Sequence, residues 1–202
     1  MDLQNKVVGV VGRKGSGKSR IFQRILQRCP RVLVFDTMGE HGWIPNRFNS
    51  LEGVGRFLAW ASLQDKYAGS LVPQDEIEPA FSQIAEWVYD QGGMTLGVEE
   101  VPFLCSPAYV PPGLDRIVRL GRHHEIDLIY TGQRMAEVAR RLTAATDVFI
   151  LFQHTEPRDL DAIVARCGRE IAEQVSELPA HGWLEWNAVS RAVSKTGKLL
   201  GV

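Results

Sequence analysis

Eight consecutive residues, Gly12-Arg13-Lys14-Gly15-Ser16-Gly17-Lys18-Ser19, fit the pattern G-x-x-x-x-G-K-[ST]. In such a loop the glycines let successive backbone N–H groups turn inward and cradle phosphate oxygens. A helix that follows directs its N-terminus, equivalent to about half a positive charge, at the same phosphates. Lys18 is then placed to reach the β- and γ-phosphates, and the Ser19 hydroxyl to bind Mg²⁺. The chemistry of this octet is binding of a nucleoside triphosphate, ATP with its Mg²⁺.

Splitting that triphosphate takes more. An acid at the end of another buried strand must serve the metal, and a further group must orient water. "MTLGVEEV" offers Glu99 and Glu100 in tandem, the first for the Mg²⁺ shell and the second for the attacking water. Neighbouring side chains on a strand point to opposite faces, so the pair can share this work only where the strand is ending. Asp36, closing "RVLVFDT", is a rival metal ligand. "LIYTGQR" puts Gln133 at a strand end, where its amide can sense the γ-phosphate or the water, or simply make a turn hydrogen bond. "DRIVRLGRHHE" spaces Arg116, Arg119 and Arg122 three apart along one helical face. Such a row suits the phosphates of a neighbour's ATP or of a nucleic acid, and also suits a plain solvated face.

These residues need elements to hold them. Buried strands are expected at 6–12, 31–37, 94–101, 126–133 and 146–154, and a short one within 68–74. Between them, helices are expected at 18–28, 49–64, 77–93, 114–125, 135–144 and 159–167; in the third, Ile77, Phe81, Ile84 and Val88 make one apolar face that Gly92-Gly93 stops. "PFLCSPAYVPPG" (102–113) is a proline-broken loop, and the tail holds an edge strand with a basic end at Arg191, Lys195 and Lys198. This alternation predicts an α/β fold, a three-layer P-loop NTPase of RecA/ASCE-like type with a mainly parallel central sheet flanked by helices. Residues 1–180 form the ATPase domain, and 181–202 an edge strand and basic tail of the same domain.

Composition narrows the function classes. The chain has 202 residues, 45% hydrophobic and 23% charged, with a net charge of -1. No stretch approaches the roughly 18 apolar residues of a membrane span. "MDLQNKVV" has no apolar signal core, so a secreted protein is not expected. Cys29, Cys105 and Cys167 lie far apart, which argues against a disulfide framework or zinc site and suits a reducing compartment. Asp36-Thr37-Met38-Gly39 spells the DxxG of GTPases, but N-K-x-D is absent from the chain. A small P-loop kinase needs an arginine-rich lid, for which "PNRF" and "ARR" are thin material. A third class is a P-loop assembly protein without useful turnover, such as those related to zonula-occludens-type toxin.

The order P-loop, "VLVFDTMGEHG", "LGVEE", "RLGRHHEIDLIYTGQRMAEV", "TDVFILFQHTEPRDLDAI" resembles the FtsK–HerA superfamily of DNA-translocating ATPases over residues 6–167. The compact length is most similar to the genome-packaging ATPases of tailless, internal-membrane double-stranded DNA viruses; a cellular or plasmid translocase is the alternative. The resemblance implies a homo-oligomeric ring, a hexamer, with ATP at subunit interfaces and double-stranded DNA in the central channel. It implies a cytoplasmic protein of the host cell that joins a virion vertex through a capsid or membrane anchor protein. It places Lys18 and Ser19 on nucleotide and Mg²⁺, Glu99 and Glu100 at the Walker B end, Gln133 as sensor, and Arg119 or Arg122 as an arginine finger on the neighbour's γ-phosphate. One departure stands out: the usual Asp-Glu is here Glu99-Glu100.

Overall fold

The computed structural model describes residues 5–74 and 76–199. Short β-branched runs become strands buried on both faces: β1 (Val7–Val11), β2 (Arg31–Phe35), β5 (Met94–Val98), β6 (Ile126–Gly132) and β7 (Val148–Phe152). Their side chains alternate between two helical layers. Val32 and Val34 join Phe22 and Leu26 of helix α1 (Lys18–Leu26). Leu33 and Phe35 point the other way, to Phe57 of α2 (Leu51–Ala61) and Phe81 of α3 (Ile77–Gln91). On the flank of the sheet Val11 meets Ile163 of α6 (Pro157–Cys167) and Ile171 of α7 (Arg169–Ser176).

With β3 (Asn46–Phe48), β4 (Tyr67–Leu71), β8 (Gly182–Asn187) and β9 (Ala192–Lys198), the sheet has nine strands in the order β3-β4-β2-β5-β6-β1-β7-β8-β9. From β3 to β7 all pairs are parallel; β8 and β9 are antiparallel. The fold is the three-layer P-loop NTPase expected, and β6 separates the P-loop strand from the glutamate strand. All seven parallel strands therefore point their carboxyl ends at one edge, the usual place for ligands in such sheets.

Several elements differ from expectation for local reasons. The tail is a two-stranded hairpin rather than one edge strand, and its last residues, 200–202, lie outside the described part. The segment 135–144 splits into a 3₁₀ turn (Met135–Glu137) and α5 (Arg140–Ala145), with Val138 and Ala139 extended between them. The segment 114–125 ends as α4 (Pro112–Leu120) and continues as a 3₁₀ turn (Gly121–His124), so the three arginines do not share one α-helical face. The loop after β5 opens with another 3₁₀ turn, Val101–Phe103, and Tyr109 hydrogen-bonds Glu78 of α3. No helix among the described residues is long and apolar enough to cross a membrane.

The three cysteines are free, and burial raises each thiol, pushing Cys167 up to about 12. A raised thiol holds little reactive thiolate near neutrality. Native protein is therefore expected to react slowly with a disulfide reagent at pH 7.5, and unfolded protein to release three equivalents promptly.

Candidate nucleotide site

Hydrogen bonds across strand ends build the carboxyl edge. The Phe35 carbonyl accepts from Glu99 N–H at 3.0 Å, and the Thr37 hydroxyl donates to the Glu99 carbonyl at 3.1 Å. The Glu100 N–H donates to Thr131 Oγ1 at 2.8 Å, and the Gly12 N–H to the Gly132 carbonyl at 3.1 Å. Four strands, β2, β5, β6 and β1, are thus tied at the points where their functional residues leave the sheet. Gln133, exposed, follows the residue that anchors the first P-loop glycine.

The loop itself is shaped by close approach. At Gly12 a Cβ would lie 2.6 Å from Phe152 Cβ and 2.7 Å from Ser16 Oγ. Gly17 has φ +103, a left-handed turn that favours glycine, and it caps α1. The first turn of α1 has no acidic residue; the Arg20 and Ile21 N–H groups donate to the Gly17 carbonyl at 3.1 and 3.2 Å, while the Lys18 and Ser19 amides lie beyond the reach of any intrahelical carbonyl. Arg13 and Lys14 are exposed at the loop's outer side and Ser19 is half-buried. The far side is closed by the C-terminal hairpin: Leu199 packs against Gly17, and the His181 ring approaches the Ser16 carbonyl at 3.2 Å. The end of the described chain is therefore docked on the P-loop, while Arg191, Lys195 and Lys198 remain exposed.

The two glutamates part company because the strand has ended. β5 stops at Val98, and Glu100 takes a left-handed conformation at φ 48, a backbone cost of about 1–3 kcal/mol for a non-glycine residue. Glu100 turns to the P-loop, where its Oε1 lies 2.8 Å from Lys18 Nζ, both side chains more than nine-tenths buried. Glu99 turns the other way, to the β2 side, where its Oε1 lies 3.2 Å from His41 Nε2. That approach is off line for a hydrogen bond, and the second oxygen, Glu99 Oε2, is buried without a partner.

Asp36 is wholly buried and shares this corner: Asp36, His41 and Glu99 each offer a ligand atom within 4.8 Å of the others. Its two oxygens are committed to the Glu40 and His41 N–H groups at 3.2 and 3.1 Å, so Asp36 holds the β2–β3 turn. Burial raises the Glu99 carboxyl; His41 opposes that shift and Asp36 adds to it. For His41 burial works downward, but Glu99, then Asp36 and Glu40, raise it overall. His41, Thr37 and Thr131 were not legible as site residues, since each is 30 or more positions from its partner in sequence.

The donor set fits Mg²⁺ and a triphosphate. A glycine-shaped cradle, a helix N-terminus, a lysine, a half-buried serine and an orphaned carboxylate oxygen share one edge. The arginines lie elsewhere. Arg116 stacks over the Tyr89 ring at 3.7 Å, with His124 against the same ring. Asp115 binds Arg141 at 2.9 Å and Arg119 at 3.6 Å. Arg122 is exposed with no ion pair among the described residues.

No protein-family model matches the chain, and no curated protein matches its sequence. Among solved structures it is similar to the genome-packaging NTPase B204 of Sulfolobus turreted icosahedral virus 2 in complex with ATP-γS. The TM-score is 0.79 at 21% identity, over 98% of this chain and 98% of that one. It is likewise similar to B204, the DNA-packaging ATPase from Sulfolobus turreted icosahedral virus, at TM-score 0.74 and 21% identity, covering 99% and 100%. The N-terminal domain of zonular occludens toxin from Neisseria meningitidis follows at TM-score 0.54 and 14% identity, covering 97% and 94%. At these identities the likeness is one of fold.

Proposed function

We propose that this chain is an ATP-hydrolysing subunit of an FtsK–HerA-type ring that drives double-stranded DNA, a viral genome, into a capsid. The observation that carries the reading is the meeting of P-loop Lys18 with Glu100 at 2.8 Å on the carboxyl edge. Full-length similarity in fold to a genome-packaging NTPase supports it. Residues 1–180 are the ATPase unit, and 181–202 belong to it through the hairpin that closes the P-loop.

Residues Gly12 to Ser19 hold the triphosphate, with Lys18 on the β- and γ-phosphates. Ser19 and Glu99 hold Mg²⁺, which when bound neutralises charge on the phosphate oxygens. A triphosphate draws Lys18 away from Glu100 and leaves that carboxylate free to take a proton from the attacking water, with Gln133, exposed at the end of the adjacent strand β6, as sensor. Arg119 and Arg122 belong to a different edge. They sit just before β6, whose seven residues run from them to Gln133, a distance of about 20 Å at ~3.3 Å per residue. An arginine there reaches a γ-phosphate only across a subunit interface, which is why the reading requires a homo-oligomer. The 102–113 loop, with Phe103 and Tyr109 exposed directly after Glu100, is the segment placed to pass a movement to DNA.

The test is ATP hydrolysis with and without double-stranded DNA, alongside a mass measurement of the assembly. DNA of any sequence is expected to stimulate hydrolysis, and the stimulation to fade steeply as salt rises, because backbone contacts release counterions. Turnover that depends instead on a small-molecule acceptor would mark a kinase.

A further inference from the structure

Glu99 is faced by a residue that lies within "VLVFDTMGEHG" without a role of its own there. His41 lies in the β2–β3 turn with its backbone N–H on Asp36 and its ring 5.2 Å from that of Phe22. On one side its Nε2 faces Glu99 Oε1 at 3.2 Å. On the other its Nδ1 accepts from the indole N–H of Trp43 at 3.4 Å. A neutral imidazole has one donor and one acceptor nitrogen. With Nδ1 taken as acceptor, the proton is on Nε2, the nitrogen that lies 3.2 Å from Glu99 Oε1 but off line for a hydrogen bond.

This order also decides between two uses of the buried corner. Asp36, His41 and Glu99 are close enough to hold a cation among themselves. A histidine ligand, however, must offer a bare nitrogen, and here the nitrogen facing Glu99 carries the proton. The ring is a close electrostatic neighbour of the carboxylate, 3.2 Å from Oε1, and not a ligand. It engages Oε1 and leaves the orphaned Oε2 as the oxygen available to a metal.

We infer that His41, itself oriented by Trp43, is the positioning residue that turns Glu99 so that one carboxylate oxygen rests on the imidazole and the other serves Mg²⁺. The inference rests on the nucleotide site proposed above and names a part of it. Groups that hydrogen-bond a metal-ligating residue commonly contribute 10–100-fold in metal affinity or activity.

The experiment measures binding of the fluorescent analogue mant-ATP to the full chain, titrated with MgCl₂ and repeated in EDTA. His41→Leu is expected to raise the Mg²⁺ concentration for half-maximal binding about 10–100-fold, with the EDTA affinity unchanged. His41→Gln keeps an N–H donor toward Glu99 and is expected to stay close to the unmodified protein; Trp43→Phe, which frees only Nδ1, falls between. Unchanged Mg²⁺ demand in His41→Leu overturns the inference, as does an equal loss in His41→Gln, which would mark a packing role. A second measurement needs no variant: the imidazole nitrogen shifts of His41 are expected to show the proton on Nε2, and a ring protonated on Nδ1 alone refutes the proposal. Absence of any Mg²⁺-dependent binding in the unmodified protein sinks the nucleotide site itself, an outcome distinct from failure at His41.

Discussion

Lys18→Ala is expected to abolish ATP hydrolysis and also to lower the melting temperature, two effects with one cause. Lys18 and Glu100 form an ion pair whose side chains are 9% and 8% exposed. Removing one partner of a buried pair leaves the other charge unpaired, at a cost of about 3–5 kcal/mol. For a domain of this size that corresponds to a fall of order 10 °C. The loss of turnover has a separate origin, the missing cation on the transferred phosphate; removing one donor of such charge stabilisation costs about 10²–10³-fold. The double variant Lys18→Ala/Glu100→Gln separates the two, since it leaves no stranded charge. It is expected to regain most of the melting temperature and none of the activity. Glu100→Gln alone is expected to bind ATP and hydrolyse it about 10²–10⁴-fold more slowly, the range for a lost general base. Hydrolysis retained in Lys18→Ala would remove the phosphate assignment, and an unshifted melting curve would show that the pair carries no stability.

How much of this was legible beforehand depends on how local the signal is. The strand, glycine turn and helix around Lys18 are contiguous, so their pattern is complete within fifteen residues. The same holds for α3, whose apolar spacing and terminal glycines predict 77–93 against the observed Ile77–Gln91. Weakly patterned pieces were lost. β3 has three residues, too few for a period, and α7 begins directly after Gly168, which reads as the end of α6. The tail's second strand, exposed along most of its length, carries no apolar alternation. In the site, motif residues were visible and their supports were not. Glu99 and Glu100 stand out as a pair, but which one faces Lys18 is set by the left-handed turn at Glu100 and its bond to Thr131. Asp36 is a rival metal ligand because it ends a buried strand; it also holds a turn through its hydrogen bonds to residues 40 and 41, and its carboxylate lies within 4.8 Å of ligand atoms of His41 and Glu99. His41 lies inside "VLVFDTMGEHG", but nothing in that segment marks it as a neighbour of Glu99: only the parallel pairing of β2 with β5 brings the two together.

Arg122→Ala is expected to slow hydrolysis about 10³–10⁵-fold, the worth of an arginine finger, with a normal melting curve, because the side chain is exposed and makes no ion pair among the described residues. Arg119→Ala is expected to be the milder of the two, since that guanidinium already lies 3.6 Å from Asp115. The position of both, about 20 Å from the P-loop along β6, gives the decisive form of the experiment. Subunits carrying Arg122→Ala retain Lys18 and Glu100; subunits carrying Glu100→Gln retain Arg122. In a mixed ring, some interfaces join the intact site of the first to the intact arginine of the second. Mixing two nearly inactive preparations is therefore expected to restore hydrolysis at those interfaces, with a maximum near equal proportions. If activity in the mixture never exceeds that of the better parent while the assembly size is unchanged, Arg122 does not act across the interface, and the ring model loses the residue that couples one subunit's ATP to the next.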